Sequence, residues 1–176
     1  MLDAEIEDTA ARLITLLLKK GRKVSTAESC TGGLLAGAIT SISGSSAVFD
    51  QGFVTYSNAA KHELLAVPQR LLDTFGAVSS EVAEAMARGL RARTQADYSI
   101  SVTGIAGPGG GTGAKPVGLV YFGIATAASV VTFEQRFKTL DRAGIRRASV
   151  LFALAAVTRS VEADRCGQAL DGDARP

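Results

Sequence analysis

Strand-like runs alternate with helix-like segments along almost the whole chain, and this alternation restricts the fold more than any other feature. Residues 3–20 place Ile6, Ala10, Leu13, Ile14 and Leu17 at helical spacing, with Asp3 as N-cap and Gly21 as terminator. A short strand is predicted over 22–27, followed by a Thr-Gly-Gly turn and a helix near 31–42. Residues 47–56 have strand composition, with Gly52 as a bulge or close contact. Asn58 is the expected N-cap of a helix carrying Lys61, Leu64 and Leu65. Pro68 opens a short helix to about Phe75, and Ser79 or Ser80 opens another to about Arg93. Strands are predicted over 97–103, 118–126 and 129–138, the last alternating and half exposed. A final helix spans 142–162. Strands interleaved with helices make an α/β layered sheet. The adjacent late strands can pair as a hairpin, so the sheet should be mixed.

A chain of 176 residues, 47 % hydrophobic and 20 % charged, is one globular domain of ordinary size. The domain is expected over 1–165, with 166–176 a loose tail. Lys and Arg total 19 against 17 Asp and Glu, and the basic residues are dispersed, so no nucleic-acid partner is expected. The one basic cluster, Arg142, Arg146 and Arg147, suits a single phosphate better than a duplex. With two cysteines, Cys30 and Cys166, and one histidine, His62, neither a disulfide framework nor a zinc site is readable, and no metal or cofactor is expected. The N-terminus is acidic and lacks a signal-peptide pattern, and apolar runs such as 116–127 are too short to span a bilayer. A cytoplasmic location without membrane partners is the expectation.

Three segments carry groups suited to chemistry. In 26-TAESCTGG-33 a strand leads through Ser29 into a turn that opens a helix. A serine there either caps the helix or acts as a nucleophile near the positive end of its dipole. The motif is not the G-x-S-x-G elbow. Cys30 is an alternative nucleophile or a buried inert thiol. In 54-VTYSNAAKHELL-65, Lys61 falls near the start of a helix. It is either an exposed surface lysine or, if buried, a base with a lowered pKa, since both the dipole and burial disfavour its charge. His62 reads as a surface neighbour. The loop 103-TGIAGPGGGTGAKPVG-118 is either a flexible hairpin or a substrate-facing loop whose N–H groups approach an anion. Gly109 to Ala114 formally fits G-x-G-x-x-A, but a strand rather than a helix follows, so neither a Rossmann nor a Walker reading applies.

Together, TAESCTGG, GSSAVFDQGFVTYSNAAK, GAVSSEVAEAMA, SVTGIAGPGGGT with KPVG, and DRAGIRR resemble, in order, the CinA C-terminal domain family of nicotinamide-nucleotide amidohydrolases. The resemblance covers about residues 5 to 160. It implies a three-layer α/β/α sandwich with a mixed, mostly parallel sheet. It also implies hydrolysis of nicotinamide mononucleotide to nicotinate mononucleotide and ammonia by a Ser/Lys pair, without a cofactor. The family's nucleophile falls on Ser29 and its lysine on Lys61. Tyr56 is implied to orient Lys61 or to stack on the pyridinium ring. Cys30, Thr31, Gly32 and Gly33 are implied to hold the oxyanion. Glu28, Asn58, Thr103, Gly104, Gly107, Arg142 and Arg146 are implied to bind substrate, with the two arginines on its phosphate. Some family members carry a further N-terminal domain related to molybdopterin-binding proteins, which this sequence has no room for. A nucleotide-binding module without turnover, or a structural domain linked to DNA uptake, are the competing readings. Self-association is expected, most simply as a symmetric dimer.

Overall fold

The computed structural model describes residues 3–164, so the tail predicted over 166–176 lies outside the described residues. Five strands, β1 (Val24–Glu28), β2 (Phe49–Val54), β3 (Tyr98–Gly104), β4 (Leu119–Ala125) and β5 (Val130–Arg136), form one sheet in the order β2-β1-β3-β4-β5. β1 pairs in parallel with both β2 and β3, while β4 pairs antiparallel with β3 and β5. The sheet is therefore mixed, and β4 alone runs against the other four strands.

Helices cover both faces, giving the three layers implied above. α1 (Ala4–Lys20), α2 (Leu34–Thr40) and α6 (Arg142–Ala163) pack on one face, burying Leu13, Leu17, Leu35, Ile39 and Leu154 against Ile100, Val102 and Phe122. α5 (Ser80–Thr94) lies on the other, with α3 (Asn58–Leu65) and α4 (Gln69–Phe75) outside it; Leu65, Leu72, Val82, Met86 and Leu90 form that smaller core. The capping readings hold at α1, where the Asp3 side chain accepts from the Ile6 N–H and Gly21 adopts a left-handed conformation. They shift by one residue at α3: Ser57, not Asn58, is the N-cap, accepting from the Ala60 N–H.

The surface beneath α5 is small and polar. Ser25 and Ser99 share a hydrogen bond at 2.8 Å, and Ser101 donates to the Ala83 carbonyl at 2.6 Å. Gly123 lets α5 come this close, because a Cβ there would sit 2.6 Å from the Ala83 oxygen. Gly89 does the same for α3, since a Cβ there would overlap the Leu65 carbonyl oxygen.

This topology fixes where a site can form. From β1 the chain crosses to β2 on one side, then returns past β1 to β3 on the other. The connections diverge at the carboxyl ends of β1 and β3, leaving the crevice in which open α/β sheets bind ligands. No helix among the described residues is long and apolar enough to cross a membrane.

Candidate active site

Ser29 is the first residue beyond β1, in that crevice. Its N–H donates to the Val102 carbonyl at 2.9 Å, and on the other side the Thr55 N–H donates to the Glu28 carbonyl at 2.8 Å. The chain then turns through Gly32 (φ 60°) and Gly33 (φ 93°), left-handed conformations that favour glycine. Ser29 is not the cap of α2; the N-cap position is Gly33, and it has no side chain to offer. Glu28 takes that role. Its buried carboxylate accepts from Gly33 and Leu35 through Oε2, at 2.9 and 3.1 Å, and from Ala36 through Oε1 at 2.8 Å. Both oxygens are thus committed to the helix end, and Glu28 does not face the cleft.

Lys61 comes to Ser29 from α3. Its Nζ lies 3.1 Å from Ser29 Oγ and donates to the Thr55 carbonyl at 2.9 Å. Lys61 is only 1 % exposed and is among the largest fully buried side chains of the described residues. Burial pushes its pKa down from 10.5 to about 8. Burial is the cause, rather than the helix dipole, because Lys61 sits one turn inside α3. An amine at this distance, neutral in part near physiological pH, can take the serine proton. The reading of Lys61 as an exposed surface lysine is overturned by its burial. Cys30 is also buried, which pushes its thiol up to about 11 and keeps it protonated, so it is a poor competing nucleophile. His62 is exposed, and its ring Nδ1 lies 2.9 Å from the Val67 carbonyl oxygen in the loop that follows α3.

The cleft over this pair has a volume of about 290 Å³, at the small end of ligand sites. A larger groove of about 540 Å³ lies between α4 and α5, but it contains no nucleophile and base in contact. The cleft floor is Ser29, Cys30 and Lys61; its walls are Ala77 and Val78 on one side and 103–110 of the glycine-rich loop on the other; Tyr56 and Arg142 stand at the mouth. Among the described residues that line it, the basic side chains are Lys61 and Arg142, and none is acidic. Thr103, Gly104 and Gly107 line this cleft. The Thr103 hydroxyl is already donated to the Ala77 carbonyl at 2.7 Å, so it meets a ligand as an acceptor. No oxygen of the described residues accepts from the Cys30 or Thr31 N–H, whereas Gly32 donates to the Ser29 carbonyl and Gly33 to Glu28. Of the four residues expected to hold an oxyanion, Cys30 lines the cleft, and Cys30 and Thr31 are the two whose N–H is not already donated to an oxygen of the described residues.

Other expectations need correction. Tyr56 does not orient Lys61, which is held by the Thr55 carbonyl; its hydroxyl accepts from Arg142 Nη2 at 3.1 Å, and the ring is 60 % exposed. Asn58 is exposed at the first position of α3 and lines no part of the cleft. The three arginines do not converge. Arg142 reaches the mouth and donates to the Gly107 carbonyl at 2.7 Å; Arg146 donates to the Thr31 carbonyl at 2.8 Å, behind the nucleophile turn; Arg147 pairs with Asp3 and Glu5, both at 2.6 Å. The sequence reading missed the Thr55 carbonyl and the Ala77–Val78 wall. A backbone acceptor leaves no signal in side-chain identity. The wall lies in the GAVSS block, whose small apolar residues signal packing as readily as contact.

The sequence model of the CinA C-terminal domain matches residues 6–161. The chain is 48 % identical over 160 residues to nicotinamide-nucleotide amidohydrolase PncC of Enterobacter agglomerans, covering 90 % of this chain and 97 % of that protein. It is 53 % identical over 142 residues to a competence-damage inducible protein of Caldicellulosiruptor bescii, covering 81 % of this chain but only 34 % of that longer protein. Among solved structures, the competence/damage inducible protein CihA of Agrobacterium tumefaciens superposes with a TM-score of 0.89 at 48 % identity, over 92 % of this chain and 98 % of that one. With most of its length matched in sequence and in fold, the chain belongs to the CinA C-terminal domain family.

Proposed function

We propose that the protein hydrolyses the carboxamide of nicotinamide mononucleotide, giving nicotinate mononucleotide and ammonia through an acyl-enzyme on Ser29. The observation that carries this reading is the buried Lys61 amine 3.1 Å from Ser29 Oγ at the floor of a cationic cleft. The similarity to the protein named for this activity supplies the substrate.

Neutral Lys61 takes the Ser29 proton as Oγ attacks the carboxamide carbon. The Cys30 and Thr31 N–H groups hold the tetrahedral oxyanion. Protonated Lys61 gives its proton to the departing nitrogen, which leaves as ammonia and restores the carbonyl as a nicotinoyl ester. Lys61 then takes a proton from water; the hydroxide attacks the ester, and the proton returns to the departing Ser29 Oγ. Arg142 retains donors beyond those on Gly107 and Tyr56, and with the glycine-loop N–H groups it binds the 5′-phosphate.

Purified protein supplied with nicotinamide mononucleotide should release ammonia and the nicotinate nucleotide in equal amounts. Added hydroxylamine should divert part of the acyl group to the hydroxamate. Nucleotide binding without any product would sink the reading in favour of a binding module. Because the base form of Lys61 is the active one, kcat/KM should rise about tenfold per pH unit below its pKa and level off above about 8. A flat profile between about pH 6 and 8 would remove Lys61 as the base. Arg142→Ala should raise KM for the mononucleotide about tenfold, the effect of losing one charged hydrogen bond. KM for nicotinamide riboside, which lacks the phosphate, should hardly change. Equal effects on both substrates would take Arg142 off the phosphate.

A further inference from the structure

The turn that presents Ser29 is gripped from two sides. From the sheet side, Glu28 holds the N–H groups of Gly33, Leu35 and Ala36. From the other side Arg146, one turn into α6, reaches across the layer and donates from Nη2 to the Thr31 carbonyl at 2.8 Å. Gly32 lies directly against that guanidinium: a Cβ on it would stand 3.3 Å from Nη2. The Thr31–Gly32 peptide is thereby fixed at both ends, its carbonyl by Arg146 and its N–H by the Ser29 carbonyl at 3.1 Å. Arg146 Nε is buried with no partner among the described residues, and the side chain is absent from the cleft lining. A half-buried cation is therefore placed behind the turn rather than in the cleft lining.

We infer that Arg146 is a positioning residue, which locks the Thr31–Gly32 peptide and so fixes the angle of the Ser29 hydroxyl and of the Cys30 and Thr31 N–H groups. It touches neither phosphate nor reacting atoms. The inference rests on Ser29 being the nucleophile proposed above. Guanidinium geometry matters because the side chain must span from α6 to one carbonyl while staying planar against Gly32. A lysine carries the charge but not the flat fork.

The test compares Arg146→Met and Arg146→Lys with wild type on nicotinamide mononucleotide and on nicotinamide riboside. Arg146→Met should lower kcat about 100-fold, the scale of a misplaced reacting group, with KM within about threefold. The kcat ratio to wild type should be the same on both substrates. Arg146→Lys should recover part of the loss, and it also serves if the Met variant fails to fold. A second measurement needs no amide substrate: the rate at which a small fluorophosphonate labels Ser29. It should fall in parallel in both variants and vanish in Ser29→Ala. If wild type releases no ammonia yet labelling falls in the arginine variants, the substrate assignment fails while the positioning role stands. A raised KM confined to the phosphorylated substrate would make Arg146 a phosphate ligand and overturn the inference. Unchanged kcat and labelling would overturn it as well.

Discussion

Ser29→Ala should abolish ammonia release, by about 10³- to 10⁶-fold in kcat, while leaving nucleotide binding measurable. Lys61→Met should fall as far, and the double variant should be no worse than either single one, because the two groups act as a unit. An additive double variant would mean that Lys61 does something other than activate Ser29. The lysine variant carries a second, opposite signature. Titration near 8 when folded and 10.5 when unfolded corresponds to about 3 kcal/mol held against the native state. Between those values the unfolded chain holds the extra proton, so wild-type stability rises with pH across that window. Lys61→Met removes this cost but leaves the Thr55 carbonyl without its donor, so a net gain of about 1–2 kcal/mol is expected below pH 8. That gain should shrink as pH climbs from about 8 and turn into a loss before 10.5, where wild type no longer bears the cost and only the unmet Thr55 carbonyl remains. Denaturant melts at pH 7 and at about pH 10 measure it directly. A variant that is inactive and more stable at neutral pH marks a lysine kept for chemistry; an inactive, less stable one marks a structural lysine.

What the sequence made legible follows from where the determining physics is local. α1 is readable to the residue because its cap, apolar stripe and terminating glycine are all within it. β1, α2 and the two glycines of the turn are readable for the same reason: left-handed φ at Gly32 and Gly33 is a property of those positions alone. The polar face of β3 misleads. Ser99, Ser101 and Thr103 alternate with Ile100 and Val102, the pattern of a half-exposed strand, yet all three are buried under α5 with their hydroxyls bonded inward. Only the arrival of a helix some 20 residues away in sequence decides that, as the Ser101 bond to Ala83 makes plain. Lys61 is the same problem at the site. Its spacing from Ser29 is that of no local motif, and its burial depends on α3 folding back over the end of β1. The resemblance picked out both residues, but not which nearby groups face substrate. Glu28 and Arg146 both sit in matching motifs and both hydrogen-bond the nucleophile turn, and a motif does not distinguish a contact from a brace.

Glu28 turns that distinction into a measurement. α2 is seven residues long, too short to hold itself together, and its N-cap is a glycine without a side chain. Three N–H groups at its start, those of Gly33, Leu35 and Ala36, depend on one carboxylate, which also suits the positive end of the helix dipole. Glu28→Gln keeps the shape but not the acceptors. If its single oxygen serves Gly33 and Leu35, its NH₂ faces the Ala36 N–H, donor against donor, and the reverse rotamer leaves two donors unmet. A loss of about 2–4 kcal/mol is expected, and about 3–5 for Glu28→Ala, where all three donors lose their acceptor. Activity should fall through kcat, since the loosened turn carries Ser29 and the Cys30 and Thr31 N–H groups, while KM for the mononucleotide stays near the wild-type value. Substrate contact predicts the reverse: a thermal midpoint within a degree or so of wild type and a KM raised about tenfold, the cost of one charged hydrogen bond. Because one substitution moves stability and the other reading moves KM, a melt and a saturation curve on Glu28→Gln separate a residue that binds the ligand from one that holds the nucleophile in place.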